Sequence, residues 1–298
     1  MRISASIYSI PPEVTEHALI LSEPRDVASF AQTCRMARAI VYQASDQHLW
    51  RKLFLEYPFD DPRRAGNPGT SGGEKCTTDW RNELQRRVYA RRVLQRICEH
   101  PPELGDALET LVSVVKTAPS MGEGKKESHD LRWLSTITQE SGAFKSIIDT
   151  SEWLENEQQL LAQLWCYIGW RDVGKEKLRA DITAARNQAR SFVYDMRNYV
   201  RESMWGPFLP DRTGRVNWKH VQAIITVVQA NLIDIGRAWS GTRPIETVDS
   251  LRAYSAPGSH KRESRDWAGV EGHWRRYVCF MDYRWASNLL RVNLELLY

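Results

Sequence analysis

Few residues of this chain stand at spacings that do chemistry. Gly122-Glu123-Gly124-Lys125-Lys126 comes nearest to a phosphate-binding loop. That loop needs Gly-x4-Gly-Lys-Ser/Thr, so that backbone N–H groups cradle phosphate and the hydroxyl meets magnesium. Pro119 stands at the first glycine position and Lys126 at the hydroxyl position, so nucleotide binding is not expected. The seven histidines (His17, His48, His100, His129, His220, His260, His273) form neither H-E-x-x-H nor a close metal pair, and surface or capping roles are expected for them. Five scattered cysteines without a C-x-x-C pair give neither a zinc site nor a disulfide framework. No catalytic residue, metal or cofactor is expected, and the chain reads as a non-enzyme.

The densest functional groups are cationic. Asp79 to about Glu99 reads as a long helix with Asp79 as N-cap and Arg81, Arg86, Arg87, Arg91, Arg92 and Arg96 along it. Guanidinium groups bind phosphates or acidic protein patches. These six do not share one face, and the plainer expectation is a solvated helix whose arginine stems cover apolar surface. The formal net charge of +4 is mild and implies no general polyanion affinity.

The elements that would position such groups are read from the composition and the periodicity. At 298 residues the chain has room for two domains, and 42% hydrophobic with 26% charged residues is ordinary for a folded protein. Twelve tryptophans argue against disorder and favour an aromatic core over an exposed recognition platform. No apolar run is long enough to span a membrane, and the first ten residues lack the apolar core of a signal peptide. A reducing compartment, cytoplasm or nucleus, is expected.

Ile10-Pro11-Pro12-Glu13 is a helix start, since proline loses no hydrogen bond in the first turn and Glu13 suits its positive end. Val14, Ala18 and Leu21 give one apolar face, with Leu19 beside it. Ser22-Glu23-Pro24 stops this helix. Val27, Phe30, Ala31 and Cys34 form the next stripe, and Met36, Ala37, Ile40 and Val41 a third. Ser45 and Asp46 suit the cap of a helix carrying Leu49, Trp50, Leu53 and Phe54. None of these short helices is stable alone.

This order of landmarks resembles an F-box, the helical module that docks onto the Skp adaptor of cullin-based ubiquitin ligases. The resemblance implies that Ile10, Pro11, Val14, Leu19, Val27, Phe30, Cys34, Arg35 and Trp50 contact the adaptor. It implies a substrate-recognition subunit, joined through the adaptor to cullin and RING proteins and holding an unknown protein substrate. Ala18 and Ser22 stand where larger aliphatic residues are usual, so weaker docking is expected. The rival readings are an adaptor-binding scaffold or titrating protein outside ubiquitin ligases and a helical nucleic-acid binder.

The expected fold is mainly α. An F-box of three or four helices occupies residues 5–57, a Pro/Gly-rich linker 58–78, and an irregular helical domain 79–298, partly β over 265–298. Helices are expected over Glu103–Val115, Leu131–Glu140 and Ala143–Thr150, over the apolar run of Trp153, Leu154, Leu160, Leu161, Leu164 and Trp165 behind a Ser151 cap, over Lys175–Ser203 and over Asn217–Trp239. The segment Arg265–Gly272 with Trp274–Arg284 is similar to one in a fungal group of F-box proteins, as is Asp79–Val93. In that group the chain runs on into a β-rich region, whereas this one departs at Trp285, so a shortened paralogue or an altered gene product is expected.

Overall fold

The computed structural model describes residues 10–44, 46–64, 78–118, 128–144, 150–169 and 179–235. They are mainly helical, as expected, with no strand among the described residues. The expected β segment (265–298) and the glycine-lysine stretch (122–126) lie outside them.

The first four helices follow the proline punctuation: α1 (Pro12–Ile20), α2 (Pro24–Ala31), α3 (Arg35–Tyr42) and α4 (His48–Glu56). Both α1 and α2 open on a proline. Cys34 caps α3, its Sγ accepting the Ala37 N–H at 3.3 Å. Gln47, which makes no side-chain cap, precedes α4. Asp46 is therefore not the cap, and Ser45 lies outside the described residues.

The interior does not stop at these helices. Phe54 packs edge-on to Trp80 of α5 (Trp80–Leu94) with ring centres 5.5 Å apart, and lies 5.0 Å from Phe59. Phe59 packs edge-on to Trp133 of α7 (His129–Ser141) at 5.0 Å. The opening residues of the expected linker are thus part of the core. Asp60 Oδ2 accepts from Ser128 Oγ at 2.5 Å and from the Asp130 N–H at 3.0 Å, tying this segment to the start of α7.

Asp79 caps α5 as expected, accepting the Asn82 N–H at 3.1 Å. The helix ends at Leu94, short of Glu99, and Ile97–Glu99 form a 3-10 turn. α6 (Leu104–Thr117) buries Leu104, Leu108, Leu111 and Val115 along one stripe. Before α8 (Glu155–Ile168) the N-cap is Leu154, not Ser151. Gly142, at φ 68°, ends α7 in the left-handed region, and Ala143 lies in the turn beyond it; 145–149 lie outside the described residues.

The long helix expected through Ser203 ends earlier, as α9 (Arg179–Val193), followed by 3-10 turns at Met196–Asn198 and Arg201–Ser203. Asn198 Nδ2 donates to the Phe192 carbonyl at 2.7 Å, and Ser203 Oγ to the Asn198 carbonyl at 3.0 Å. Such local side-chain bonds compete with helix continuation. α10 (Trp218–Ile235) then packs on α9 through Val227, Ala189 and Val193. Its seam with α8 is polar: Gln159 Oε1 accepts the Trp218 N–H at 2.6 Å, and Gln159 Nε2 donates to Asn217 Oδ1 at 3.0 Å.

Candidate docking surface

α1 packs its Thr15 and Leu19 inward, and His48 Nδ1 lies 2.7 Å from Glu16 Oε1, joining α1 to α4. The stripe read from the sequence as one apolar face is the outward one. Ile10 is 41% exposed, Val14 57% and Leu21 76%, and Pro11 and Ala18 are exposed with them. Spacing defines the apolar edge correctly, but the core takes the neighbouring positions.

The nine residues named by the F-box resemblance divide by burial. Ile10, Pro11, Val14 and Arg35 are exposed, while Phe30 and Cys34 are half-buried. Leu19, Val27 and Trp50 are buried, Val27 completely. In this chain those three hold the helices together and present little surface. Trp50 donates from Nε1 to the Val41 carbonyl at 2.9 Å and stacks on Tyr42. The Arg81 guanidinium lies 4.5 Å from the Tyr42 ring centre, which ties the same aromatic pair to α5. Cys34 is the α3 cap, and that capping bond defines its local role.

The arginine helix is only in part solvated. Arg81, Arg86, Arg92 and Arg96 are exposed and Arg91 is half-buried. Arg87 is buried, its side chain 2% exposed, between the rings of Phe54 and Phe59 at 4.8 and 4.7 Å. Its Nη1 donates to Asp130 Oδ1 at 2.5 Å and its Nε to Glu83 Oε1 at 3.0 Å. Burial raises Asp130 to about 6, against the opposing pull of Arg87. Arg87 falls on the same helical stripe as Leu84 and Leu94, a phase that marks it as inward.

Elsewhere, burial pushes Cys166 up to about 12, so it is a thiol at neutral pH. His220, expected at the surface, is buried between Phe192 and Tyr199, and burial lowers its pKa. Among the described residues no group of His, Cys, Asp or Glu is placed to hold a metal ion, and no helix is long and apolar enough to cross a membrane. Comparison with family models, with curated proteins and with solved structures finds no match to this chain.

Proposed function

We propose that the chain is the substrate-recognition subunit of a Skp-cullin-F-box ubiquitin ligase, acting in the cytoplasm or nucleus. Its N-terminal helices dock the Skp adaptor, and its later helices hold a protein substrate. It performs no catalysis and needs no cofactor. Its mechanism is proximity, because tethering a substrate lysine beside a charged ubiquitin carrier makes an intermolecular transfer effectively intramolecular.

The observation that carries this reading is the outward stripe of α1. A short helix opened by two prolines leaves Ile10, Val14 and Leu21 exposed while its other face is buried. Full burial of one such side chain is worth about 1.5–3 kcal/mol, which gives a partner helix a reason to cover the stripe. Arg35 stands exposed at the first turn of α3, and Phe30 offers a half-buried edge of α2.

Co-expression with the Skp adaptor, size-exclusion chromatography and a dissociation constant test it. Wild type is expected to give a one-to-one complex, and Val14→Asp with Leu21→Asp to weaken it at least about tenfold with the fold unchanged. No complex with a folded wild-type chain overturns the reading. An adaptor complex that never co-purifies cullin replaces it with the scaffold or titrating role.

A further inference from the structure

A groove of about 680 Å³ runs between α2 and α5. Pro24, Arg25 and Ala28 form one wall, and Val88, Tyr89 and Arg92 the other. The inner end is aromatic, where Phe59 and Trp133 meet. A second depression of about 430 Å³ shares Tyr89, Arg92 and Gln95 with the first and extends it to Arg96. No residue of α1 lines either, so the groove is distinct from the outward stripe of that helix.

Its charge is one-sided. Arg25, Arg91, Arg92 and Arg96 line the two depressions, and no aspartate or glutamate does. The neighbouring carboxylates are engaged: Glu23 Oε2 accepts from Tyr57 Oη at 2.6 Å and Glu140 Oε2 from Arg91 at 3.2 Å. Burial and then the hydrogen bond to Glu23 push Tyr57 up to about 12, so it stays a neutral donor. Two donors lack partners: the Nε1 of Trp133, a residue 6% exposed, and the Nε of Arg91 are buried without a hydrogen bond. A buried donor without an acceptor is costly.

We infer that this groove binds an extended acidic peptide, its apolar side chains seated between α2 and α5 and its carboxylates on the arginines. The dimensions fit a chain segment. Leu84 to Leu94 spans about 15 Å at the ~1.5 Å helical rise. That is the length of about five extended residues at ~3.3 Å each. Single-stranded nucleic acid is disfavoured because base stacking needs successive exposed ring faces, and Trp50, Phe59 and Trp133 are buried, which leaves Tyr89 as the one exposed ring of the lining. Peptide carboxylates supply the counter-charges that the lining itself lacks. The inference stands on the groove alone and does not require adaptor docking.

The test is selection of a random heptapeptide display library on the full chain. Enriched sequences are expected to carry two or more Asp or Glu around an aliphatic or aromatic residue. The synthesised winner is expected to lose affinity about tenfold or more in Arg25→Glu/Arg92→Glu, and to weaken as salt rises. Both arginines are exposed, so the double variant keeps the fold. Ala28→Gln, which narrows the groove without touching its charge, is expected to weaken the same peptide. The Trp133 indole N–H resonance, assigned through Trp133→Phe, is expected to shift when the peptide is added. The inference is overturned by no enrichment over the bare surface, or by enrichment of neutral or basic peptides. It is also overturned by acidic peptides that bind both variants unchanged, or by a twelve-residue oligothymidylate that outcompetes the peptide at the same arginines.

Discussion

Arg87 shows how far a single residue departs from its type. Arginine is almost never fully buried unless paired, and here the pairing is with Asp130 and Glu83 among aromatic rings. Removing one partner of such a pair leaves an uncompensated buried charge, which costs about 3–5 kcal/mol. Arg87→Met is therefore expected to lower the unfolding free energy by about that amount in urea titrations. Arg87→Met/Asp130→Leu is expected to recover at least half, since a well-packed apolar pair replaces an ion pair at little cost. A double variant no more stable than the single one would locate the loss in packing. The pair also has a pH signature. Asp130 titrates at about 6 in the fold against an ordinary 3.8, with burial the main cause. The folded state therefore binds an extra proton between those values. That contribution is fully present below about pH 3.8 and is lost as pH rises through 6. The loss is of order 3 kcal/mol. Asp130→Asn is expected to remove this slope, read from urea midpoints between pH 4 and 7, and an unchanged slope would assign it to other groups.

At the scale of the element, proline spacing and apolar periodicity made the boundaries of α1 to α4 legible. They left open which side of each helix the core takes. Val14, Ala18 and Leu21 share a helical edge in the sequence just as Thr15 and Leu19 do, and only the packing of α3 and α4 decides that the second pair turns inward. Aspartate at these positions separates the two roles. Val27→Asp, in a fully buried site of α2, is expected to cost more than about 3 kcal/mol and to broaden or abolish cooperative unfolding. Val14→Asp is expected to change stability by less than about 0.5 kcal/mol, as an exposed substitution does. Equal losses by thermal melt would contradict this division. The cap of α8 was not legible for a different reason. Leu154 is 69% exposed and has no acceptor, so its type does not announce an N-cap. Its backbone is nevertheless extended (φ −59°, ψ 142°), and Glu157 already accepts the Leu154 N–H at 3.1 Å. A hydroxyl there completes a reciprocal capping box. Leu154→Ser is accordingly expected to raise stability by about 1 kcal/mol.

At the scale of the molecule, the helical class was legible because it rests on many periodic segments at once. The meeting of distant segments was not. Asp60 and Asp130 each donate a backbone N–H to the other's carboxylate, and Phe59 packs on Trp133, across a Pro/Gly-rich stretch that reads as a linker by composition. The same limit hid the α2–α5 groove, whose inner end joins Phe59 to Trp133 of α7. A physical consequence follows for the N-terminal helices. They bury Val27, Val41, Leu53 and Phe54, but Phe54 and Phe59 complete their packing only on Trp80, Arg87 and Trp133. A segment of this size is near the lower limit for independent folding even with a closed core. A fragment of residues 1–64 exposes these rings to water, and its remaining helices are too short to persist alone. The fragment is expected to show weak helical circular dichroism and poor amide dispersion, whereas the full chain unfolds cooperatively. A fragment that unfolds cooperatively at the same urea midpoint as the whole chain would show that α5 and α7 add nothing to this module. In that case the aromatic seam through Phe59 would be a contact between independently folded parts, not a continuous core.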